Sequence, residues 1–164
     1  MTTSLDLNVS MPELTRTLLD IYSVSGEEKT IADAVYEALS AYPHLHLTRD
    51  GDAMIARTEF GPRNGEERTR ILLAGHLDTV PLPTVAGSLG TVPASIVEDN
   101  GDWILYGRGA TDMKGGVAVQ LKLAAELGEH DTDYNLTYVF YDHEEVASEL
   151  SGMARLIRNH GELL

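Results

Sequence analysis

Five ionisable residues of this 164-residue sequence follow closely on apolar segments that have the composition of buried strands. In chain order they are His76, Asp78, Asp112, Glu144 and Glu145. In open α/β sheets, ligands bind in the crevice beyond the carboxyl ends of the strands, so side chains that follow three strands can converge there. Imidazole and carboxylate groups in one crevice can hold a metal ion and move protons.

The spacing of His76 and Asp78 favours a metal ligand with an orienting partner. Taken alone, a histidine at the end of an apolar strand is more typical of a structural residue. Residues two apart in an extended segment point the same way, however. Asp78 can therefore accept the ring N–H of His76 and leave the other ring nitrogen free for a metal.

The other acidic residues have structural interpretations as well. Asp112 lies in the glycine-rich residues 107–116, just before an apolar helix that its side chain could cap. Glu144 and Glu145 would suit an ordinary helix start, because they complement the helix dipole. If they point different ways from one strand end, the same two acids could instead divide metal binding and proton transfer between them.

The nucleophile of such a site has to be water. The sequence has no cysteine, and neither Ser148 nor Ser151 has an evident histidine and acid partner. Water at neutral pH needs a metal ion to become a good nucleophile, and without thiolates that ion must be held by histidine and carboxylate. Residues 107–109 could suggest a nucleotide-binding loop, but no third glycine follows them at the spacing that such a loop needs. Residues 99–102 could suggest a calcium loop, but they fit a hairpin turn better.

The composition favours small molecules or metal cations as partners. The formal net charge is −14 and there is no long basic run, so neither nucleic acid nor an anionic membrane surface is expected as the main partner. Most of the 26 acidic residues are expected to form a solvated surface. The start of the chain lacks the basic and apolar regions of a secretion signal, and no apolar run could span a bilayer, which predicts a cytoplasmic protein.

Helix-start signals occur twice near the beginning of the chain. Ser10 and Glu13 have the spacing of a capping box, and apolar residues then recur at helical intervals. Ser25 and Glu28 repeat that spacing ahead of a second amphipathic helix. A third helix, over residues 117–127, is almost entirely apolar and is expected to be covered on nearly all sides.

Strand signals alternate with these helices. Asp50-Gly51 and Asn100-Gly101 each predict a hairpin. Apolar segments at residues 70–74, 103–106 and 136–141 predict strands in the middle of a sheet. The alternation predicts an α/β fold with a mixed, largely parallel central sheet and helices on both faces.

Three motifs together resemble one known family. LLAGHLDTVP at 72–81, GRGATDMKGGVAV at 107–119 and the glutamate pair at 144–145 occur in this order, and VSGEE at 24–28 adds support. In this combination the sequence resembles the zinc-dependent amidohydrolases and exopeptidases, the family of succinyl-diaminopimelate desuccinylase, acetylornithine deacetylase and carboxypeptidase G. The resemblance extends over essentially the whole chain and is strongest to the desuccinylases of high-GC Gram-positive bacteria.

The resemblance implies a role for each candidate residue. His76 would bind one of two zinc ions, Glu145 the other, and Asp112 would bridge them, with cobalt able to replace zinc. Asp78 would orient His76, and the peptide bond after Asp112 would be cis. Glu144 would be the general base that takes a proton from a metal-bound water as it attacks an amide carbonyl, and would return it to the leaving amine.

The substrate implied by the resemblance is a small N-acyl amino acid, most closely N-succinyl-LL-2,6-diaminopimelate of lysine and diaminopimelate biosynthesis. The motifs build the metal site and not the substrate pocket, so acetylornithine deacetylase and metalloexopeptidase activities stay open. The alternative of another class is a catalytically silent binding domain that keeps the shape.

The resemblance also implies that this chain is the N-terminal part of a zinc-exopeptidase-like catalytic domain. A further acidic ligand, a late histidine ligand and a lid domain, through which members of the family usually form homodimers, would lie beyond it. Glu162 and His160 lie at a predicted helix end and are not assigned as those ligands. With so few ligands for each zinc, the isolated chain is expected to bind metal weakly and to turn over little substrate.

Overall fold

The computed structural model describes residues 4–164, which form six strands, four α-helices and three short helical turns. The strands are β1 His46–Asp50, β2 Ala53–Arg57, β3 Arg70–His76, β4 Ser95–Asp99, β5 Asp102–Tyr106 and β6 Asn135–Tyr141. The α-helices are α1 Met11–Leu19, α2 Lys29–Ser40, α3 Gly115–Glu126 and α4 Gly152–His160. The short turns are a π-helical turn at Ala110–Lys114 and 3₁₀ turns at Ser148–Leu150 and Gly161–Leu163. Within residues 4–164, no helix is both long and apolar enough to cross a bilayer.

Four of the strands form one mixed sheet in the order β1-β2-β6-β3. β1 and β2 are antiparallel, as are β2 and β6, whereas β3 and β6 are parallel. The predicted α/β class with a mixed sheet is confirmed, although only one of these three pairings is parallel. β6 lies inside the sheet and buries all of its residues except the last, so a continuous apolar run was a sound indication of a central strand.

Helices cover both faces of this sheet, as the sequence predicted. On one face, α1, α2 and α3 pack against Met54 of β2 and Tyr138 and Phe140 of β6. On the other face, Leu156 of α4 packs against Val139 and its neighbours. Successive residues of β6 thus contribute to opposite cores, because side chains alternate across a strand.

β3 lies at an edge of the sheet and not in its middle, so that part of the prediction is wrong. Among the residues described, β6 is the only strand that pairs with β3. Ile71 and Leu72, at its amino end, are 38% and 42% exposed, whereas Gly75 and His76, at its carboxyl end, are buried. The apolar composition of β3 therefore does not reflect full burial, and only the end that carries His76 is enclosed.

The hairpin predicted at Asn100-Gly101 forms, but it stands apart from the central sheet. Within residues 4–164, β4 and β5 pair only with each other. Asn100 and Gly101 have φ values of 52° and 89°, which a tight hairpin turn requires. The prediction that residues 103–106 form a central strand is wrong, since Trp103 is 72% exposed.

The capping box at the start of α1 is confirmed. The backbone nitrogen and the hydroxyl of Ser10 lie 3.0 and 2.6 Å from Oε2 of Glu13. The second helix-start signal is wrong in its detail, because α2 begins at Lys29 without a side-chain cap. Ser25 and Glu28 make long-range contacts instead, which fix the segment before α2 against the ends of β3 and β6.

α3 is buried on most of its surface, although the predicted coverage is incomplete because Val119 is 43% exposed. Gln120, a polar residue in this apolar helix, is buried beside Gly75 of β3. A Cβ atom on Gly75 would lie 3.0 Å from Oε1 of Gln120. The absence of a side chain at that position thus lets the helix approach the strand end that carries His76.

Candidate metal centre

The parallel pairing of β3 and β6 brings two of the predicted strand ends together. His76 is in register with Tyr141, and the next residue, Leu77, donates its backbone N–H to the oxygen of Tyr141 at 2.8 Å. The segments that follow the two strands therefore emerge at the same edge of the sheet, where ligands bind in open α/β folds. The turn that follows β5 also reaches this edge, since its residue Asp112 contacts His76.

His76 and Asp112, which are 36 residues apart, are in direct contact. The Nε2 atom of His76 lies 3.0 Å from Oδ1 of Asp112. The other ring nitrogen, Nδ1, lies 3.0 Å from the backbone oxygen of Asp78 and can donate a hydrogen bond to it. That bond leaves Nε2 as the ring atom available to a metal. The capping interpretation of Asp112 is not supported, because no side chain caps α3.

Asp78 is fully buried and links several parts of the site. Its carboxylate accepts a hydrogen bond from Oγ of Ser25 at 2.5 Å and the backbone N–H groups of Glu144 and Glu145, each at 3.0 Å. Its Oδ1 atom is 3.4 Å from Nδ1 of His76, so the ring is closer to the backbone oxygen of Asp78 than to its carboxylate. This residue therefore holds the backbone of both glutamates next to the His76 ring.

Burial and hydrogen bonding shift the pKa values of His76 and Asp78 in opposite directions. Burial disfavours a charged imidazolium, but hydrogen bonds to Asp78 and Asp112 outweigh it and raise the pKa of His76 to about 9. Burial also disfavours a charged carboxylate at Asp78. Hydrogen bonds from His76, Ser25 and the N–H groups of the two glutamates nevertheless hold the pKa of Asp78 well below its ordinary value. The surroundings of the His76 ring therefore favour a positive charge there.

Both glutamates approach His76. Ligand atoms of His76, Glu144 and Glu145 all lie within 4.8 Å of one another. Glu145 and Asp112 also line a common cavity of about 530 Å³. Burial, and after it the negative charge of Asp112, raises the pKa of Glu145, as expected where carboxylates crowd together. All five candidate residues thus lie at one edge of the sheet.

The chemistry of these donors fits a metal ion of the zinc type. They supply one imidazole nitrogen and several carboxylate oxygens, and the chain has no cysteine. Imidazole and carboxylate together suit Zn²⁺ and Co²⁺. A cation would also relieve the repulsion among the acidic side chains that meet at this edge of the sheet.

The turn that carries Asp112 depends on close backbone contacts. Gly109 has a φ of 79°, and a Cβ atom there would lie 2.6 Å from Cγ2 of Thr79. Lys114 is buried and donates from Nζ to the backbone oxygen of Ile21 at 2.7 Å, which ties the turn to the end of α1. The peptide bond after Asp112 is cis, as the family resemblance implied.

Two further residues of the site were interpreted from the sequence as a helix-start signal. Ser25 contacts the carboxylate of Asp78, and its backbone N–H bonds to the oxygen of Thr79 at 3.1 Å. Glu28 is buried and accepts the backbone N–H of His143 at 3.2 Å. The spacing of Ser25 and Glu28 fits a capping box, so spacing alone did not indicate that they belong to the metal centre. The only sequence signal for that was the VSGEE motif at 24–28, through the family resemblance.

Comparison with known proteins assigns the chain to a family. Residues 72–163 match the model of peptidase family M20/M25/M40. A Mycobacterium tuberculosis protein, provisionally named succinyl-diaminopimelate desuccinylase DapE, is 46% identical over 155 residues, which are 94% of this chain and 39% of that protein. The succinyl-diaminopimelate desuccinylase of Corynebacterium glutamicum is 40% identical over 154 residues, 92% of this chain and 38% of that protein. The chain therefore spans about two fifths of the length of these curated relatives.

Solved structures of low sequence identity share the fold. An M20 family metallo-carboxypeptidase from Sulfolobus solfataricus superposes with a TM-score of 0.70 at 18% identity, over 95% of this chain and 36% of that one. A tripeptidase from Staphylococcus aureus gives 0.66 at 20% identity, over 94% and 40% of the two chains. Because the family match covers more than half of the 164 residues and the fold agrees, the chain belongs to peptidase family M20/M25/M40.

Proposed function

We propose that this chain supplies the N-terminal half of a two-metal active site that hydrolyses an amide bond with water as the nucleophile. The observation that carries the proposal is the convergence of His76, Glu144 and Glu145 within 4.8 Å, with Asp112 in contact with the His76 ring. No cysteine or activated serine competes for the role of nucleophile in this group. Membership of a family of hydrolases agrees with this chemistry.

His76, Asp112 and Glu145 are the residues that would hold the metal ions. Asp112 would be shared by the two ions, with His76 on one and Glu145 on the other. Two zinc or cobalt ions held by these residues would polarise the substrate carbonyl and make water more acidic. Asp78 would keep Nδ1 of His76 protonated and so reserve Nε2 for the metal.

Glu144 is the proposed general base. Its backbone is fixed by the hydrogen bond from its N–H to Oδ1 of Asp78, which holds its side chain near His76 and Glu145. From there its carboxylate would take a proton from the attacking water and return it to the nitrogen of the leaving amine. Such acid–base assistance contributes about 10²–10⁴-fold to a rate.

The substrate we propose is N-succinyl-LL-2,6-diaminopimelate, from which the enzyme would remove succinate. Support comes from the desuccinylase names of the relatives that are 46% and 40% identical. An acetylornithine deacetylase or another metalloexopeptidase is the alternative within the family. A catalytically silent binding domain is the alternative of another class.

We further propose that residues 1–164 form the N-terminal part of a catalytic domain whose remaining ligands, lid and dimer interface lie elsewhere in a longer protein. The chain spans only 39% of the length of its relative from M. tuberculosis. One terminal ligand for each ion plus the shared Asp112 is fewer than the three protein ligands usual in catalytic zinc sites. Weak metal binding and little turnover are therefore expected from the chain alone.

Titration of Co²⁺ into the purified chain tests the metal site. We expect the His76→Ala variant to bind Co²⁺ at least about tenfold more weakly than the unmodified chain, because it lacks the only imidazole of the cluster. His46→Ala is the matched control, since His46 is an exposed residue of β1. Equal Co²⁺ affinity in both variants would contradict the proposal.

Activity has to be tested in a protein that joins this chain to the rest of the catalytic domain. There, Glu144→Gln should lower kcat for N-succinyl-diaminopimelate by about 10²–10⁴-fold while the metal content stays the same. Loss of metal together with activity would make Glu144 a ligand and not the base. Unchanged ligand binding in a protein that never hydrolysed the amide would favour the silent binding domain.

A further inference from the structure

A buried glutamate contacts the acidic loop of the metal centre, residues 142–145. Glu28 is only 1% exposed, although glutamate is almost never fully buried unless it is paired. Both of its carboxylate oxygens have partners. Oε1 accepts the backbone N–H of His143 at 3.2 Å, and Oε2 accepts that of Gly26 at 2.8 Å. Glu28 therefore joins the segment before α2 to the residue that precedes the glutamate pair.

Two buried carboxylates hold three consecutive backbone N–H groups of the acidic loop. The N–H groups of Glu144 and Glu145 bond to Asp78, each at 3.0 Å. The N–H group of His143 bonds to Glu28. Neither carboxylate belongs to the loop, since Asp78 follows β3 and Glu28 precedes α2. The backbone of the loop is thus fixed from two separate segments of the chain.

His143 has a backbone conformation that needs support. Its φ is 58°, in the left-handed region, which costs free energy for a residue with a Cβ atom. The backbone of His143 bonds to Glu28, and its Nδ1 atom lies 2.8 Å from Oδ2 of Asp142. The chain continues from this turn directly into Glu144 and Glu145. The conformation at residue 143 therefore sets the direction in which both glutamates leave the end of β6.

We propose that Glu28 is a positioning residue of the active site, which stabilises the left-handed turn at His143 and thereby fixes where the carboxylates of Glu144 and Glu145 lie. In this role it touches neither a metal nor a substrate. The inference rests on the proposed function for the roles of the two glutamates as base and metal ligand. Small displacements matter in such a site, because a shift of about 1 Å can lower a rate by about 10²-fold.

Amide hydrogen exchange of the metal-free chain tests this restraint. Glu28→Met fills a similar space without a carboxylate, so the N–H groups of Glu144 and Glu145 should exchange at least about tenfold faster than in the unmodified chain. Glu27→Met is the matched control, since Glu27 is the exposed neighbour in the same motif. The buried amides of β6 report any global loss of stability. Acceleration at the two glutamates that does not exceed that of β6, or that of the control variant, would overturn the proposal.

A double-mutant cycle separates positioning through His143 from packing at the start of α2. Glycine adopts a positive φ without steric cost, so the turn needs less support from Glu28 when residue 143 carries His143→Gly. The acceleration caused by Glu28→Met should then be at least about threefold smaller than in the unmodified background. Equal accelerations in the two backgrounds would mean that Glu28 only anchors α2, and would overturn the proposal. If Glu28→Met does not fold, Glu28→Gln, which keeps one acceptor oxygen, replaces it in both comparisons with the same direction expected.

Co²⁺ binding distinguishes failure of this inference from failure of the proposed function. If Co²⁺ binds through His76, Glu28→Met should bind it about tenfold more weakly, because Glu145 is no longer held beside His76, whereas Glu27→Met should bind it like the unmodified chain. Unchanged affinity in Glu28→Met would then leave the metal centre standing and overturn the positioning role. If Co²⁺ binding does not depend on His76, the proposed function falls, and hydrogen exchange alone decides whether Glu28 holds the loop.

Discussion

The hydroxyl of Ser25 donates a hydrogen bond of 2.5 Å to Oδ2 of Asp78, across 53 residues of sequence. This contact joins the segment before α2 to the end of β3. Because Asp78 also holds the backbone N–H groups of Glu144 and Glu145, the position of the acidic loop depends on a residue far from it in the chain. Ser25 is therefore expected to matter for the stability of the site without touching a metal.

Ser25→Ala should lower the free energy of unfolding by about 1–2 kcal/mol, because it removes a hydrogen bond to a buried, charged acceptor. Urea denaturation followed by circular dichroism measures this change. Ser148→Ala is the control, since Ser148 is exposed and should change stability by less than about 0.5 kcal/mol. Equal stability of the two variants would contradict the importance of the Ser25–Asp78 contact.

Gly152→Ala should destabilise the fold strongly. A Cβ atom on Gly152 would lie 2.0 Å from Oδ1 of Asp142, which is the atom that accepts a 2.7 Å hydrogen bond from Arg155. Relief of that overlap requires the ion pair or the start of α4 to move, at an expected loss of about 2–4 kcal/mol. Thermal unfolding measures the loss.

The matched control is Gly161→Ala at the other end of α4. A Cβ atom on Gly161 would meet nothing within 4 Å, so its effect should stay within about 0.5 kcal/mol. If Gly152→Ala proved as mild as Gly161→Ala, the packing of α4 against Asp142 would have to differ from the one described.

Asp50 should stabilise the fold in a pH-dependent manner. The hydrogen bond from Asn159, followed by the charge of Arg155, holds the pKa of Asp50 below its ordinary value despite partial burial. A carboxylate with a lowered pKa in the folded state stabilises that state above the unfolded pKa of about 3.9, and the contribution disappears as the pH falls through the folded pKa. Asp50 also contacts α4 from β1, with its Oδ1 atom 3.2 Å from Nε of Arg155.

Asp50→Asn is therefore expected to cost about 1 kcal/mol at neutral pH and progressively less as the pH falls below the unfolded pKa of about 3.9. Urea unfolding of the variant and the unmodified chain at a series of pH values measures the difference. Asp102→Asn is the control, because Asp102 is exposed in β5. A stability difference that stayed constant with pH would show that the charge of Asp50 is not the cause.

Local patterns predicted those parts of the fold that local interactions determine. The capping box of Ser10 and Glu13 and the turn at Asn100-Gly101 both involve neighbouring residues, and both form as expected. The strand-end rule also identified His76 and Asp112 as candidates that could meet, and their side chains are in contact.

The errors came from long-range pairing, which periodicity cannot express. Residues 103–106 are apolar enough for a central strand, yet β5 pairs only with β4 in the part of the chain described. Ser25 has the spacing of a helix cap, but its partner is Asp78, and nothing near Ser25 in the sequence identifies that contact. Arg108 was seen only as part of a weak glycine pattern, and its place at the cavity that Asp112 and Glu145 also line depends on the tertiary fold.

The location of a bound metal tests the central claim most directly. Crystals of the chain soaked in Zn²⁺ and measured at the zinc absorption edge would locate each ion through its anomalous scattering. We predict a peak at about 2.0–2.2 Å from Nε2 of His76 and from a carboxylate oxygen of Asp112. Zinc peaks that lay only at surface carboxylates, with none at His76, would contradict the account.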